Sequence, residues 1–320
     1  MSDPLGANLI FLVSQPRAGS TMLQRVLGNH PDIHTTSEPW VMLHPCQILK
    51  GGGGTAGYEA GGWADLARDE FLKHAGGRET LVQGVREFGR VVYTRALEGS
   101  GKTLFLDKTP RYYHVLPELA AVFPAARFVI LLRNPMAVLC SIVRTWVQKH
   151  PPSPGFRRGH YAWERMPSYR DDLLTAPRLL AAGIAQLGPR VRVVRFEELV
   201  ADPGRDVAAL CAWLGVPFVP TMLTYATANA PDFAFGDPLG IQQHTQPEAS
   251  HGTGWIDDLR DPALWKLAAD YARHLRLDLP DALGYGMTFD ATLRAQRPAA
   301  WRLLLQRSLE DVVGAESGRT

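Results

Sequence analysis

Four short apolar runs constrain this chain more than anything else in it: Asn8 to Val13, Thr103 to Leu106, Phe128 to Leu132 and Val191 to Arg195. Each reads as a buried strand, and helical patterns stand between them. The first gives way to a polar turn and a helix from Thr21 to Gly28, ended by His30-Pro31. Helical periodicity runs from Phe71 to Leu97 ahead of the second, which closes in "DKTPRYY" and leads to a helix over Pro117 to Phe123. The third passes through Arg133-Asn134-Pro135 into a helix from Met136 to about Gln148, and the fourth through "FEEL" into a helix over Pro203 to Leu214. Apolar strands alternating with amphipathic helices predict a parallel sheet covered on both faces, a three-layer α/β/α fold. The 320 residues contain no internal repeat and suit one domain, 1–320.

Between these elements lie segments with other signals. "GGGGTAGYEAGG", Gly51 to Gly62, is a surface loop, either a lid or a tolerated insertion. Residues 44–95 and 148–169 read as inserts that shape a pocket. Their aromatic residues, with those beside them (Trp40, Tyr58, Trp63, Phe156, Tyr161 and Trp163), fit an aromatic or lipid-like ligand, or packing alone. Residues 229–254 are irregular and polar, the character of a closing loop. The tail, 296–320, carries an amphipathic helix with Trp301, Leu304, Leu305 and Leu309 on one side, which packs on the domain or on a second copy in a homodimer.

A net charge of +2 gives no electrostatic case for nucleic acid or an acidic membrane surface. Cys46, Cys140 and Cys211 form neither a disulfide framework nor a zinc site. The apolar run Leu9 to Val13 is too short for a signal peptide or membrane span, so the cytoplasm is the expected location.

The stretch "LVSQPRAGSTMLQRVL" carries the first chemistry. Open α/β sheets bind ligands at the carboxyl ends of their strands, where Ser14 to Thr21 falls. Gly19 permits a tight turn, and the amides of Ala18 to Met22 would gather at a helix N-terminus that favours an anion. Ser20 and Thr21 add hydroxyls, and Arg17 adds charge with a fork of donors. The P-loop signature Gly-x-x-x-x-Gly-Lys-[Ser/Thr] is absent. Arg133 ends the third strand on the same edge, and Ser141 follows about two turns into the next helix. Two anion sites on one edge suggest a ligand with a phosphate at each end.

Three blocks now resemble a known family. "QPRAGSTMLQRVLGNHPD" is similar to the 5′-phosphosulfate loop of PAPS-dependent sulfotransferases, in the branch with tyrosylprotein sulfotransferases and bacterial small-molecule sulfotransferases. "FVILLRNPMAVLCSIV" resembles their 3′-phosphate strand and helix, and "VRVVRFEELVADPGRDVAALCAWLGVP" their third block. The resemblance implies a P-loop NTPase-like sulfotransferase fold and transfer of a sulfuryl group from PAPS to a hydroxyl or amine of a small-molecule acceptor, with release of PAP and no metal. It assigns Arg17, Ala18, Gly19, Ser20, Thr21 and Met22 to the phosphosulfate, and Arg133 and Ser141 to the 3′-phosphate. Glu38 becomes the general base, with His34 and His44 as rivals, and Lys108 contacts the transferring group. Phe196 stands near the adenine or in the core. His251 and Gly252 occupy the place of a late loop, 229–254, that closes over the cofactor. Arg144 is discounted, because the branch has its Arg one position later, at Thr145. A kinase would want a carboxylate for magnesium, for which Asp107 is the candidate, and a non-catalytic nucleotide-binding protein would need neither Glu38 nor Lys108.

Overall fold

In the computed structural model the described residues are 6–36, 38–51, 62–147, 167–224, 246–247, 250–275, 279 and 283–298. Five parallel strands, β1 (Leu9–Ser14), β2 (Ile33–Thr35), β3 (Leu104–Lys108), β4 (Arg127–Leu132) and β5 (Val191–Arg195), lie in the order β2-β3-β1-β4-β5. In register, Phe11 pairs with Asp107 on one side and Phe128 on the other.

The alternation of strand side chains builds two cores. Leu9, Phe11, Val13, Phe105, Phe128 and Ile130 enter one. Ile10, Leu12, Leu106, Val129, Leu131 and Val194 enter the other. The first is covered by α2 (Leu43–Lys50), α4 (Gly77–Leu97), α5 (Leu116–Val122), α6 (Pro135–Ile142) and α8 (Ala176–Leu187). The second is covered by α1 (Ser20–Gly28), α9 (Phe196–Ala201) and α10 (Pro203–Leu214). Helix α3 (Trp63–Lys73) lies on α4, and α7 (Pro167–Arg170) leads towards α8. The turns α11 (Ser250–Thr253) and α12 (Trp255–Asp258) precede the helices α13 (Pro262–Leu275) and α14 (Gly286–Ala295). The chain order changes sides at β1, with β2 and β3 on one flank and β4 and β5 on the other, and such a switch point leaves a crevice at the carboxyl edge of the strands. Among the described residues, no helix is long and apolar enough to cross a membrane.

The four expected strands are present, and β2 is additional. The helical pattern from Phe71 to Leu97 is divided: α3 ends at Lys73, and Gly76, at φ 84°, precedes α4, whose first residue Gly77 is also at positive φ (71°). The helix after β4 is regular only to Ile142 and then widens into a π-type turn, Val143–Val147. Ser250–Thr253, expected to be irregular, is a helical turn. The Gly52–Gly61 stretch, most of 148–169, residues 225–245 and the helix proposed over Ala299 to Val313 lie outside the described residues.

Phe11 centres an aromatic cluster, stacked on Phe128 at 5.4 Å and Phe123 at 5.8 Å, with Tyr93 and Tyr112 edge-on at 6.1 and 6.2 Å. Phe11→Ala is expected to cost about 3–5 kcal/mol. Urea unfolding should show a lower midpoint at an unchanged slope.

Candidate active site

The loop after β1 is shaped by two left-handed residues, Arg17 at φ 68° and Gly19 at φ 100°. Arg17 is the costlier, since a side chain disfavours that region. Gly19 is required twice over, because a Cβ there would lie 2.4 Å from the Phe196 ring. The first backbone bond of α1 runs from Leu23 N–H to Gly19 O (3.2 Å). Gly19, Ser20, Thr21 and Met22 therefore keep the four amides that a helix leaves without an intrahelical partner. Ala18 N–H is engaged within the loop, donating to Gln15 O at 3.2 Å.

Arg17, Ser141 and Arg133, read from the sequence as parts of two anion sites, form one connected group. Arg17 Nε donates to Ser141 Oγ (3.2 Å), and its Nη2 reaches Thr145 Oγ1 (3.5 Å). Arg133 Nη1 donates to Arg17 O (3.0 Å), and its guanidinium lies 4.2 Å from the centre of the Phe196 ring. Burial pushes Arg133 down to about 10; Glu197 opposes this, while Arg17 and Arg144 push the same way. Arg133 stays charged at neutral pH, and an anion among these cations would relieve both its desolvation and the mutual repulsion. Arg144 itself pairs with Asp258 (3.1 Å). Phe196 is buried beneath this group, in the core and against the site at once.

Glu38 and Lys108 meet. Lys108 closes β3 with a side chain only 1% exposed, and its Nζ donates to Glu38 Oε1 at 2.7 Å and to Thr21 Oγ1 at 3.4 Å. The other oxygen of Glu38 accepts from the Trp40 indole N–H at 3.2 Å. Trp40 is the second left-handed non-glycine residue, φ 54°, a strained backbone beside a carboxylate. His34, the rival base, pairs in register with Phe105, three residues before Lys108, and burial lowers its pKa.

Behind the pair, Asp107 turns away from the ligand edge into the first core. It accepts from Tyr93 OH (2.6 Å), Tyr112 OH (3.1 Å) and Thr109 Oγ1 (2.8 Å). Burial raises its carboxyl to about 6, against those donors and Lys108. Its three donors and its burial commit this carboxylate to the core and not to the ligand edge.

Arg111 and Asp172 lie outside the three family-like blocks. Arg111 forms a two-point ion pair with Asp172 (2.8 and 2.5 Å) and lies 5.7 Å from the Trp40 ring. Asp172 also receives Tyr113 OH (2.6 Å), and its carbonyl accepts Gln15 Nε2 (2.8 Å), which ties the anion loop to the Trp40 side. Glu197 accepts Asn134 N–H (2.9 Å) and Tyr285 OH (2.8 Å), which fixes the turn after β4. Gly252 is buried, its carbonyl holding the Trp255 indole (3.1 Å), and an added Cβ would lie 3.5 Å from Val200. His251 lies in the same turn; its side chain is outside the described residues.

A parallel sheet with an amide-lined loop and clustered arginines at its carboxyl edge defines an α/β protein of P-loop-like fold. The chain belongs to the sulfotransferase family, whose model matches residues 9–220. It is 31% identical over 253 residues to nodulation protein NoeE of Sinorhizobium fredii, covering 72% of this chain and 55% of that one. It is 24% identical over 215 residues to protein-tyrosine sulfotransferase 1 of Danio rerio, covering 66% of this chain and 54% of that one. The chain thus spans about half the length of the curated relatives it matches. In fold it is similar to a sulfotransferase domain from the curacin biosynthetic pathway, with TM-score 0.51 and 20% identity over 90% of this chain and 98% of that one.

Two outcomes follow from the geometry. Gly19→Ala must move Phe196 or the loop and should cost about 1–3 kcal/mol in urea unfolding. Asp107, raised from 3.8 to about 6, holds a proton in the folded state that the unfolded chain has released, so its contribution to stability falls as pH rises from about 4 to about 6. Asp107→Asn should remove that part of the slope when unfolding is compared at pH values across this window.

Proposed function

We propose that this chain transfers a sulfuryl group from PAPS to a hydroxyl or amine of a small-molecule acceptor and releases PAP. The observation that carries the reading is the Glu38–Lys108 pair, 2.7 Å apart and within 3.4 Å of Thr21 on the anion loop. A carboxylate and an ammonium beside an anion cradle are what in-line transfer between oxygens requires. The carboxylate takes the acceptor proton, and the cation balances charge on the oxygen that leaves.

In this reading the amides of Gly19 to Met22, with Arg17, Ser20 and Thr21, hold the 5′-phosphate end, and Arg133 and Ser141, the latter hydrogen-bonded to Arg17, hold the 3′-phosphate. The cationic group around Arg133 supports this fit, because it is built for an anion. Glu38 accepts the proton as the acceptor oxygen bonds to sulfur. The S–O bond to the 5′-phosphate breaks, and its electron pair leaves on PAP. Lys108, held by Glu38 at rest, shifts its contact to the transferring group, which frees Glu38 as base. His251 and Gly252 close the nucleotide side.

The acceptor would lie towards residues 44–95 and 148–169. An apolar groove of about 360 Å³ between α2, α3 and α4, lined by Pro45, Ile48, Leu72, Leu81, Val85 and Phe88, supports an aromatic or lipid-like acceptor. The protein-tyrosine sulfotransferase relatives add a tyrosine peptide to the acceptors worth testing.

Incubation with radiolabelled PAPS and a panel of alcohols, phenols, sugars, amines and a tyrosine peptide should give metal-independent labelling of at least one acceptor, with PAP release. PAP binding without transfer would favour a binding protein, and magnesium-dependent ATP turnover a kinase. Glu38→Gln and Lys108→Met should each lower turnover by about a hundredfold or more. Glu38→Gln should leave PAP affinity, measured by calorimetry, nearly unchanged.

A further inference from the structure

Glu38 belongs to no helix or strand, yet its carboxylate must stand at a fixed distance from Lys108. The segment that carries it, Glu38 to Met42, is anchored from below at two backbone amides. Trp40 N–H reaches Thr109 Oγ1 at 3.4 Å, and Met42 N–H donates to Tyr112 OH at 3.0 Å. Both acceptors are hydroxyls whose own protons go to Asp107, on Oδ1 and Oδ2 respectively. Asp107 thereby sets the direction of both hydroxyls: donating to the carboxylate, each turns a lone pair towards the segment above.

We propose that Asp107 is a positioning residue: through Thr109 and Tyr112 it fixes the backbone at Trp40 and Met42, and so holds the Glu38 carboxylate against Lys108. The inference rests on Glu38 being the base. Three features of the site agree with it. Trp40 is kept in the left-handed region, which costs free energy and needs an external hold. Its indole then reaches Glu38 Oε2, so one strained residue links the anchor to the carboxylate. Asp107 also precedes Lys108 directly on β3, so the same strand end places both partners, with alternation sending Asp107 into the core and Lys108 to the edge.

Tyr93 supplies a matched control. Its hydroxyl also donates to Asp107 Oδ2, at 2.6 Å, and its ring lies in the same buried cluster, but among the described residues it makes no hydrogen bond to the Glu38 segment. Tyr93→Phe and Tyr112→Phe each delete one buried hydroxyl on the same carboxylate oxygen, and only the second removes the anchor of Met42. Turnover, PAP affinity and thermal midpoint should be measured for both beside Glu38→Gln, with PAPS hydrolysis by water as the acceptor-independent assay, and crystal structures of the two Phe variants should be solved.

Both Phe variants should lose comparable stability and keep PAP affinity within twofold. Tyr112→Phe alone should lower kcat, by about tenfold, and lengthen the Glu38–Lys108 contact beyond hydrogen-bonding distance. Equal kcat in the two variants, a kcat loss that tracks PAP affinity, or an unchanged Glu38–Lys108 contact in Tyr112→Phe would overturn the proposal. Glu38→Gln separates the two layers of the argument: if it keeps wild-type kcat, the assignment of the base fails, whereas if it is inactive and Tyr112→Phe is not impaired, only the positioning role fails.

Discussion

A lysine almost wholly removed from water at the end of a central strand is the constraint around which this site is built. An uncompensated ammonium there would be costly, and breaking such a pair by removing one partner typically costs about 3–5 kcal/mol. Glu38 at 2.7 Å supplies the compensation. Because Glu38 sits on an irregular segment, that compensation holds only if the segment is held. The left-handed Trp40, the hydroxyls of Thr109 and Tyr112 and the buried Asp107 are the means. The pair is thus a product of tertiary structure, not of local sequence.

The sheet brings the rest to the same place. With β1 in the middle of a parallel sheet, the chain leaves it, β3 and β4 on one edge, where Lys108 ends β3 and the loops after β1 and β4 carry Arg17 and Arg133. Burial is the main cause of the lowered pKa of Arg133, and repulsion from Arg17 and Arg144 adds to it. The structure limits the repulsion with Asp258 on Arg144 and Glu197 near Arg133, and leaves Arg17 bridging to Ser141 and Thr145. An anion bound there, as proposed, would complete the arrangement.

The strands were legible because a strand buried on both faces leaves an unbroken apolar run, and the anion loop because its glycine and hydroxyls follow such a run. The three-residue β2 was not, since Ile33-His34-Thr35 has no room for periodicity. The break at Gly76-Gly77 was passed over because apolar spacing continues across it. Lys108 was recognisable as the end of a strand, and Glu38 only through family resemblance; nothing in "SEPW" announces a base. Gln15, Arg111, Asp172 and Asp107 act through contacts between residues far apart in the chain, up to 157 positions for Gln15 and Asp172, and no local pattern encodes those. Arg17 and Ser141 were assigned to opposite ends of a ligand, and only the fold shows them hydrogen-bonded to each other.

The central claim is that the carboxyl edge holds a nucleotide with phosphates at both ends and presents its sulfuryl position to Glu38 and Lys108. A crystal structure with PAP tests it most directly. The account predicts the 5′-phosphate within hydrogen-bonding distance of the Gly19 to Met22 amides and near Lys108, with the 3′-phosphate on Arg133 and Ser141. PAP bound away from this edge, or turned so that its 3′-phosphate fills the loop, would contradict it.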